Sequence, residues 1–363
     1  MRISRPRPTR RMRHSLNQSA KLNKKRKLTK FFEKILFILQ KIFRYIKMSN
    51  IINYYTEEEI KALSSCELCP HRCKVDRLNN QRGYCNIDAN INIALICNHK
   101  GEEPVLCGEK GICNVFFSHC NCQCIFCQNK SISNNSLPCK NQYSDVESVI
   151  TKILEILQTS ENIVGFVSPT PHIPMMNVII RELHKREVYP RFVYNSSGYD
   201  NVEVLKKLEN NINVYIPDFK YASENIARQF SKIKDYPTHC LNAIKEMYRQ
   251  KGSTLITDEK ELAESGLIIR HLILPNYVEE SKKVLKTIAE EISMAVSISL
   301  MGQYFPPFKI EEYENLNRTL RKEEYEEVAD YFYSLGLYKG WLQELSSVDS
   351  CVPDFENNRF LNQ

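Results

Sequence analysis

The chain has 363 residues with a hydrophobic share of 42%, which suits one large globular α/β domain with appendages. Its formal charge of +7 is unevenly distributed, because residues 1–47 contain 16 Lys/Arg and one acid, which leaves −8 for the remainder. This acidic main body gives no general signal for nucleic-acid binding, and no run is apolar for long enough to cross a bilayer. Twelve of the 14 cysteines lie between Cys66 and Cys139. In a long chain without a signal peptide, this clustering favours metal ligands in a reducing cytoplasm over a secreted disulfide scaffold.

The N-terminal stretch is basic throughout but changes character near residue 31. Residues 1–30 are polar and lack a hydrophobic period, so we expect them to be disordered. In residues 31–46, apolar side chains recur at helical spacing between lysines and arginines, which is typical of an amphipathic helix on an anionic membrane surface. The alternative is that Met48 is the true start and residues 1–47 are an upstream reading-frame artefact. We favour this alternative, and we expect a membrane contact only if the extension is native.

A cysteine-rich region follows at 48–110. Cys66, Cys69, Cys73 and Cys85 lie within about 20 residues among Pro, Gly and short polar runs. Four thiols at this spacing predict one closed structural site, for zinc or an auxiliary iron–sulfur cluster. The alternative is four buried cysteines without a metal. The cysteines that come next, Cys97, Cys107 and Cys113, follow no readable pattern and are interpreted as structural.

The most informative stretch is 115–129, VFFSHCNCQCIFCQN, in which Cys120, Cys124 and Cys127 form a C-x3-C-x2-C triplet. A cubane [4Fe–4S] cluster normally takes four thiolates, one for each iron. Three thiolates from one loop would leave one iron open to a substrate or cofactor, as in catalytic metal sites. Cys122 lies in the same loop, so a closed zinc site with four thiolates is the alternative.

The triplet, with Phe126 just before its last cysteine, resembles the signature of radical S-adenosylmethionine (SAM) enzymes. The longer run FFSHCNCQCIFCQNKSIS is similar to pyruvate formate-lyase activating enzyme-like proteins. The resemblance implies that the three cysteines hold a [4Fe–4S] cluster whose open iron binds SAM. It also implies that one electron, from a reductant such as flavodoxin or ferredoxin, cleaves SAM to methionine and a 5′-deoxyadenosyl radical, with Phe126 against the adenine. The sequence departs from the family at His119, where Gly is usual, and at Cys122, where an apolar residue is usual.

From residue 114 onward, short apolar runs alternate with helix-like stretches. The predicted strands are 114–118, 163–168, 191–195, 213–217, 267–274 and 295–300. The predicted helices include one that opens with a capping box from Ser144 to Glu147, and others near 175–187, 200–209, 236–249, 278–291 and 322–335. This alternation predicts a parallel sheet with too few units for a closed eight-unit barrel. The resemblance supplies the specific form, a partial (β/α)6 TIM-type barrel over 111–345 with a C-terminal tail at 346–363.

Polar residues follow the predicted strands, where parallel α/β folds place their sites. By resemblance, Asp218 and Lys220 match a D-x-K motif that contacts SAM, and Arg270 matches an R-x4-P run whose guanidinium suits a carboxylate. Asn195 aligns with a polar residue near SAM. Further residues follow the second and fifth strands: Ser168 and Thr170 replace the usual glycine-rich GGE motif for the SAM amino group, and His172 and His271 are interpreted as structural.

These patterns together predict an oxygen-sensitive, cytoplasmic radical SAM enzyme. By resemblance it is similar to activases that abstract hydrogen from a glycine of a partner protein. Two other interpretations remain at this point: a radical SAM enzyme that acts on RNA or a small molecule, and a non-catalytic zinc or RNA-binding module. The acidic body makes nucleic acid the less expected partner.

Overall fold

The computed structural model describes residues 51–343, 353–355 and 359–360. From Tyr54 onward the described residues belong to one compact unit, and the preceding unit, Met1–Asn53, contributes only 51–53 to the description. The predicted disorder and amphipathic helix in 1–47, and most of the predicted tail, therefore lie outside the described residues. No described helix combines the length and apolarity that crossing a membrane requires.

In the described residues, nine strands form one sheet. Eight of them follow the spatial order β1-β2-β3-β4-β5-β7-β8-β9, and the ninth, β6, pairs with β7 outside this order. The strands are β1 (Ile93–His99), β2 (Ile112–Phe117), β3 (Ile163–Val167), β4 (Arg191–Ser196), β5 (Val214–Pro217), β6 (Ile256–Thr257), β7 (Ala263–Leu272), β8 (Ser297–Met301) and β9 (Gly340–Leu342). From β2 to β9 along the path every pairing is parallel, and β1 is antiparallel to β2. Two short strands, β10 (Pro353–Asp354) and β11 (Arg359–Phe360), pair with each other.

Helices precede the sheet and connect its strands. They are α1 (Glu57–Ser64), α2 (Pro104–Cys107), α3 (Lys130–Ser133), α4 (Val146–Leu157), α5 (Ile173–His184), α6 (Val202–Lys206), α7 (Glu224–Ser231), α8 (Tyr236–Lys251), α9 (Val278–Glu291) and α10 (Lys322–Ser334). Each long parallel strand is buried along nearly its whole length, as expected when helices cover one face and the barrel interior the other.

The predicted architecture is confirmed: a partial barrel of parallel strands with a cysteine-rich N-terminal region. All six predicted strands are present, β7 beginning four residues earlier than predicted. The capping box is wrong by one residue, because Asp145, rather than Ser144, caps α4 by accepting from the Ser148 amide. The strands β1, β6 and β9 and the helix α7 were not predicted.

The segment before β2 packs inside the barrel at the amino ends of the strands. Leu106 and Cys107, on α2, pack in one cluster with Ile112, Ile163 and Val214, residues near the amino ends of their strands. This placement agrees with the structural interpretation of Cys107. It also leaves the opposite end of the barrel, at the carboxyl ends of the strands, open for a site.

Candidate functional site

The cysteine loop follows β2 directly, at the carboxyl end of the barrel. Its triplet, Cys120, Cys124 and Cys127, lines one cavity of about 220 Å³. Phe126 lines the same cavity and packs edge-on against Tyr304, at 5.9 Å between ring centroids. The structure therefore brings together the four loop residues that the sequence assigned to the cluster and the adenine.

The three thiols differ in electrostatic environment. Contact with Cys122, both side chain and amide, lowers the pKa of the Cys120 thiol, and Lys220 adds to the effect. Burial raises the pKa of the Cys124 thiol and raises that of Cys127 to about 12. Each of these two thiols also contacts a serine hydroxyl. A bound metal stabilises the deprotonated form that this burial disfavours, so the loop is chemically suited to a cation that binds thiolates.

The residues fit a cluster better than a single ion. Within the described ranges, no three His, Cys, Asp or Glu side chains are already gathered around one ion-sized position. A cubane takes one thiolate on each iron, so its ligands are spread around a cluster rather than a point. The thiol of Cys122 donates to Ser197 Oγ at 3.2 Å. This contact does not favour the alternative of a closed zinc site that includes Cys122.

Across the cavity from the cysteines lies an ion pair. Asp218 and Lys220 both line the cavity, with 2.5 Å between Asp218 Oδ2 and Lys220 Nζ. Burial alone would lower the pKa of Lys220, but Asp218 and Cys124 raise it above its usual value, so the ammonium stays charged. Asn195 and Ser168 also line this cavity, as the sequence predicted.

Arg270 lines the cavity but is already engaged. Its Nε donates to Glu103 Oε1 at 2.8 Å, and its Nη2 contacts both Glu102 and Glu103. Burial opposes the charge, yet Glu103 and Glu102 hold the pKa of Arg270 well above its usual value. The guanidinium fork is thus occupied by carboxylates of the β1–β2 connection. A contact from Arg270 to the SAM carboxylate would require the guanidinium to release at least one of these glutamates.

Thr170 is engaged by a buried carboxylate. Its hydroxyl donates to Asp200 at 2.6 Å, and Thr170 is only 1% exposed. Tyr194 and Ser196 donate to the same carboxylate at 2.8 and 2.6 Å. Thr170 does not line the cysteine cavity, and its hydrogen bond joins the segment after β3 to the segment after β4.

The two histidines interpreted as structural are buried. The His172 ring lies 2.9 Å from the Ser118 carbonyl oxygen through Nε2. The His271 ring lies 2.7 Å from the Phe219 carbonyl oxygen through Nδ1, and so braces the residue between Asp218 and Lys220. Neither His172 nor His271 lines the cavity.

Tyr236 holds two strand ends together and was missed by the sequence reasoning. Its buried hydroxyl accepts from the Lys220 amide at 3.0 Å. The same oxygen lies 2.8 Å from the carbonyl oxygens of Ser197 and Asp218, so its single proton is shared between these two acceptors. Tyr236 begins α8, and nothing in its sequence position indicates this contact.

The predicted metal-binding knob, 66–85, packs against the cysteine loop. The amide of Asn135 donates to the carbonyl oxygens of Tyr84 and Cys120, both at 2.9 Å. The His119 ring lies 3.0 Å from the Cys85 carbonyl oxygen. Cys66, Cys69 and Cys85 are buried and Cys73 is half-buried. Burial and the neighbouring Cys85 raise the pKa of the Cys69 thiol, and Cys66 and Cys73 add to this. Cys66, Cys73 and Cys85 thus lie near Cys69, although among the described residues no three of these thiols are gathered around one ion-sized position.

Comparison with known proteins agrees with this geometry. The family model of the radical SAM superfamily matches residues 114–258. An uncharacterised protein of Methanocaldococcus jannaschii is 31% identical over 298 residues, which is 79% of each chain.

Solved structures with a similar course of the chain include Streptococcus suis SuiB bound to S-adenosylmethionine, with a TM-score of 0.44 and 10% identity over 63% of this chain and 50% of that one. Native anSMEcpe with bound AdoMet has a TM-score of 0.41 and 12% identity, over 64% of this chain and 58% of that one. This chain spans about half the length of these two structures.

Proposed function

This chain belongs to the radical SAM superfamily, and from that premise we propose that it cleaves SAM reductively at a [4Fe–4S] cluster held by Cys120, Cys124 and Cys127. One observation carries the proposal: three thiols line one cavity together with an aromatic ring, Phe126, and a half-buried ion pair. When bound, the cluster would supply an open iron for SAM and one electron, drawn from a low-potential reductant such as flavodoxin or ferredoxin, for cleavage of SAM to methionine and a 5′-deoxyadenosyl radical.

The remaining cavity residues bind and orient SAM. Lys220 has three N–H groups and gives one to Asp218, so two remain for the methionyl carboxylate. The Asp218 carboxylate suits ribose hydroxyls, and the amide of Asn195 and the hydroxyl of Ser168 suit the ammonium end. Phe126 packs against the adenine.

The hydrogen donor would occupy an adjoining cavity. A space of about 330 Å³ shares Asn195, Arg270 and Gln303 with the cysteine cavity and has Glu102 and Glu103 in its wall. We propose that the donor is a glycine of a partner protein, because the cysteine loop and the D-x-K motif are similar to those of glycyl-radical activases. A small molecule or RNA is the second candidate.

Anaerobic reconstitution with iron and sulfide tests the proposal. We expect a broad visible absorbance, and 5′-deoxyadenosine and methionine in equal amounts when reductant and SAM are added. Replacing Cys120, Cys124 or Cys127 with Ala should abolish both products. A colourless protein that binds zinc would overturn the proposal in favour of the zinc module.

The nature of the hydrogen donor needs a separate test. Binding of RNA by residues 48–363 that weakens steeply with salt would favour RNA. Transfer of deuterium from a deuterated small molecule into 5′-deoxyadenosine would favour that class. With a protein donor, the label should come from its deuterated glycine.

We also propose a second metal site at Cys66, Cys69, Cys73 and Cys85. Its support is the mutual proximity of four mostly buried thiols on a loop-rich segment with little regular structure of its own. Either zinc or an auxiliary iron–sulfur cluster suits four thiolates.

A further inference from the structure

Two of the three cluster cysteines contact a serine side chain. Cys124 Sγ lies 2.9 Å from Ser231 Oγ. Cys127 Sγ lies 3.2 Å from Ser133 Oγ. A third serine, Ser168, lines the same cavity as Cys120. Ser231 and Ser133 come from separate elements, α7 and α3.

The fold holds two of these hydroxyls with little freedom. Ser231 ends α7 and is fully buried, and its segment pairs with the cysteine loop, because the Ile125 amide donates to the Phe230 carbonyl at 2.8 Å. Ser133 ends the short helix α3 and is 8% exposed. Ser231 has a second partner, since Tyr221 Oη lies 2.9 Å from Ser231 Oγ.

Metal binding decides the direction of these hydrogen bonds. In the free protein either the thiol or the hydroxyl can donate. A ligating cysteine is a thiolate, which has no proton, so the serine must donate to sulfur. For the pair at Cys124, the hydroxyl of Ser231 then turns its proton to the sulfur and accepts from Tyr221. Such a chain of hydrogen bonds polarises along its length.

We propose that Ser133 and Ser231 donate to the thiolates of Cys127 and Cys124 and raise the reduction potential of the cluster. The inference rests on the proposed function, since it requires the cluster. One-electron reduction adds negative charge that spreads onto the sulfurs, and a donor aimed at sulfur stabilises the reduced form more than the oxidised one. The electron comes from the same low-potential reductant that supports SAM cleavage.

The test is a redox titration of reconstituted full-length protein, followed by electron paramagnetic resonance in the absence of SAM. Ser231→Ala and Ser133→Ala should each make reduction about tenfold less favourable, which lowers the midpoint by about 59 mV for a one-electron couple. Tyr221→Phe should lower it by less, because Ser231 still donates. Ser131 lies on the same helix as Ser133 but is exposed, so Ser131→Ala is the matched control and should leave the midpoint unchanged. Ser133→Thr keeps the hydroxyl and should restore the wild-type midpoint.

The outcomes separate this inference from the proposed function. Iron and sulfide content are measured in every variant. If the wild-type protein assembles no cluster, the proposed function fails. If the clusters assemble in Ser231→Ala and Ser133→Ala with the midpoint of Ser131→Ala, the cluster assignment stands and the serine inference is overturned. A lowered midpoint that Ser133→Thr does not restore would also overturn it, because the shift would then follow from packing rather than from the hydroxyl.

Discussion

Replacing Lys220 with Ala should separate SAM binding from cluster assembly. Lys220 Nζ faces the cysteine cavity and uses one N–H on Asp218, which leaves donors for the SAM carboxylate. Losing one charge-assisted hydrogen bond costs about 1.5–3 kcal/mol. At about 1.4 kcal/mol per decade, SAM should bind roughly 10- to 150-fold more weakly. The substitution also leaves Asp218 unpaired beside the cavity, which repels the incoming carboxylate and acts in the same direction.

The assay is a SAM titration of 5′-deoxyadenosine formation by reconstituted protein, with iron counted in the same samples. Thiolates supply the affinity for iron, so Lys220→Ala should retain wild-type iron and sulfide and need far more SAM for half-maximal rate. Lys206→Ala is the matched control, because Lys206 forms an exposed ion pair with Glu203 on α6. Wild-type SAM affinity in Lys220→Ala would refute the reasoning and show that Lys220–Asp218 is a structural pair.

Four further substitutions test other parts of the site. Cys122→Ala should retain most SAM cleavage, and loss of iron in this variant would show that the ligand assignment is wrong. Cys69→Ser should lower the thermal midpoint and the metal content together, whereas unchanged metal content would remove the second site. Arg270→Gln should leave SAM affinity near wild type, since its fork is engaged by glutamates; a tenfold loss would restore the sequence-based assignment. Thr170→Val removes a hydrogen bond to the Asp200 carboxylate and should lower the unfolding free energy by about 1.5–3 kcal/mol with unchanged SAM affinity; weaker SAM binding with unchanged stability would contradict this.

Local patterns were enough to predict six of the seven parallel strands in the described part of the chain, and the positions that follow them, but not β9. Runs such as 163–167 and 214–217 are apolar and short, and each is followed by polar residues. The sequence therefore predicted both the strand and the end of the strand at which the site lies. The strand β1 could not be predicted from its own sequence, because it forms through antiparallel pairing with β2. Its sequence, IALICNH, has no alternation that would mark one exposed face.

Partners distant in the chain account for the contacts at the site that the sequence did not predict. Arg270 pairs with Glu103, which is 167 residues earlier in the chain. The Ser231 hydroxyl contacts the thiol of Cys124, which is 107 residues earlier. A motif match shows which residue type follows a strand. It does not show which other side chain of the protein forms a hydrogen bond or ion pair with that residue. The same holds for Thr170, whose position after β3 was correct and whose hydroxyl is taken by Asp200.

The two departures from the family's glycine positions also have a physical explanation. His119 and Ser168 both adopt left-handed backbone, with φ of 65° and 56°. Glycine reaches this region without strain, whereas a residue with a Cβ pays roughly 1–2 kcal/mol. His119 offsets this through its buried ring, whose nitrogens lie 3.0 and 3.1 Å from the carbonyl oxygens of Cys85 and Leu137. Ser168 lines the cysteine cavity with a hydroxyl-bearing side chain that glycine lacks. The left-handed backbone for which the family uses glycine is therefore retained here at residues that have side chains. The absence of glycine does not argue against a SAM site at these two turns.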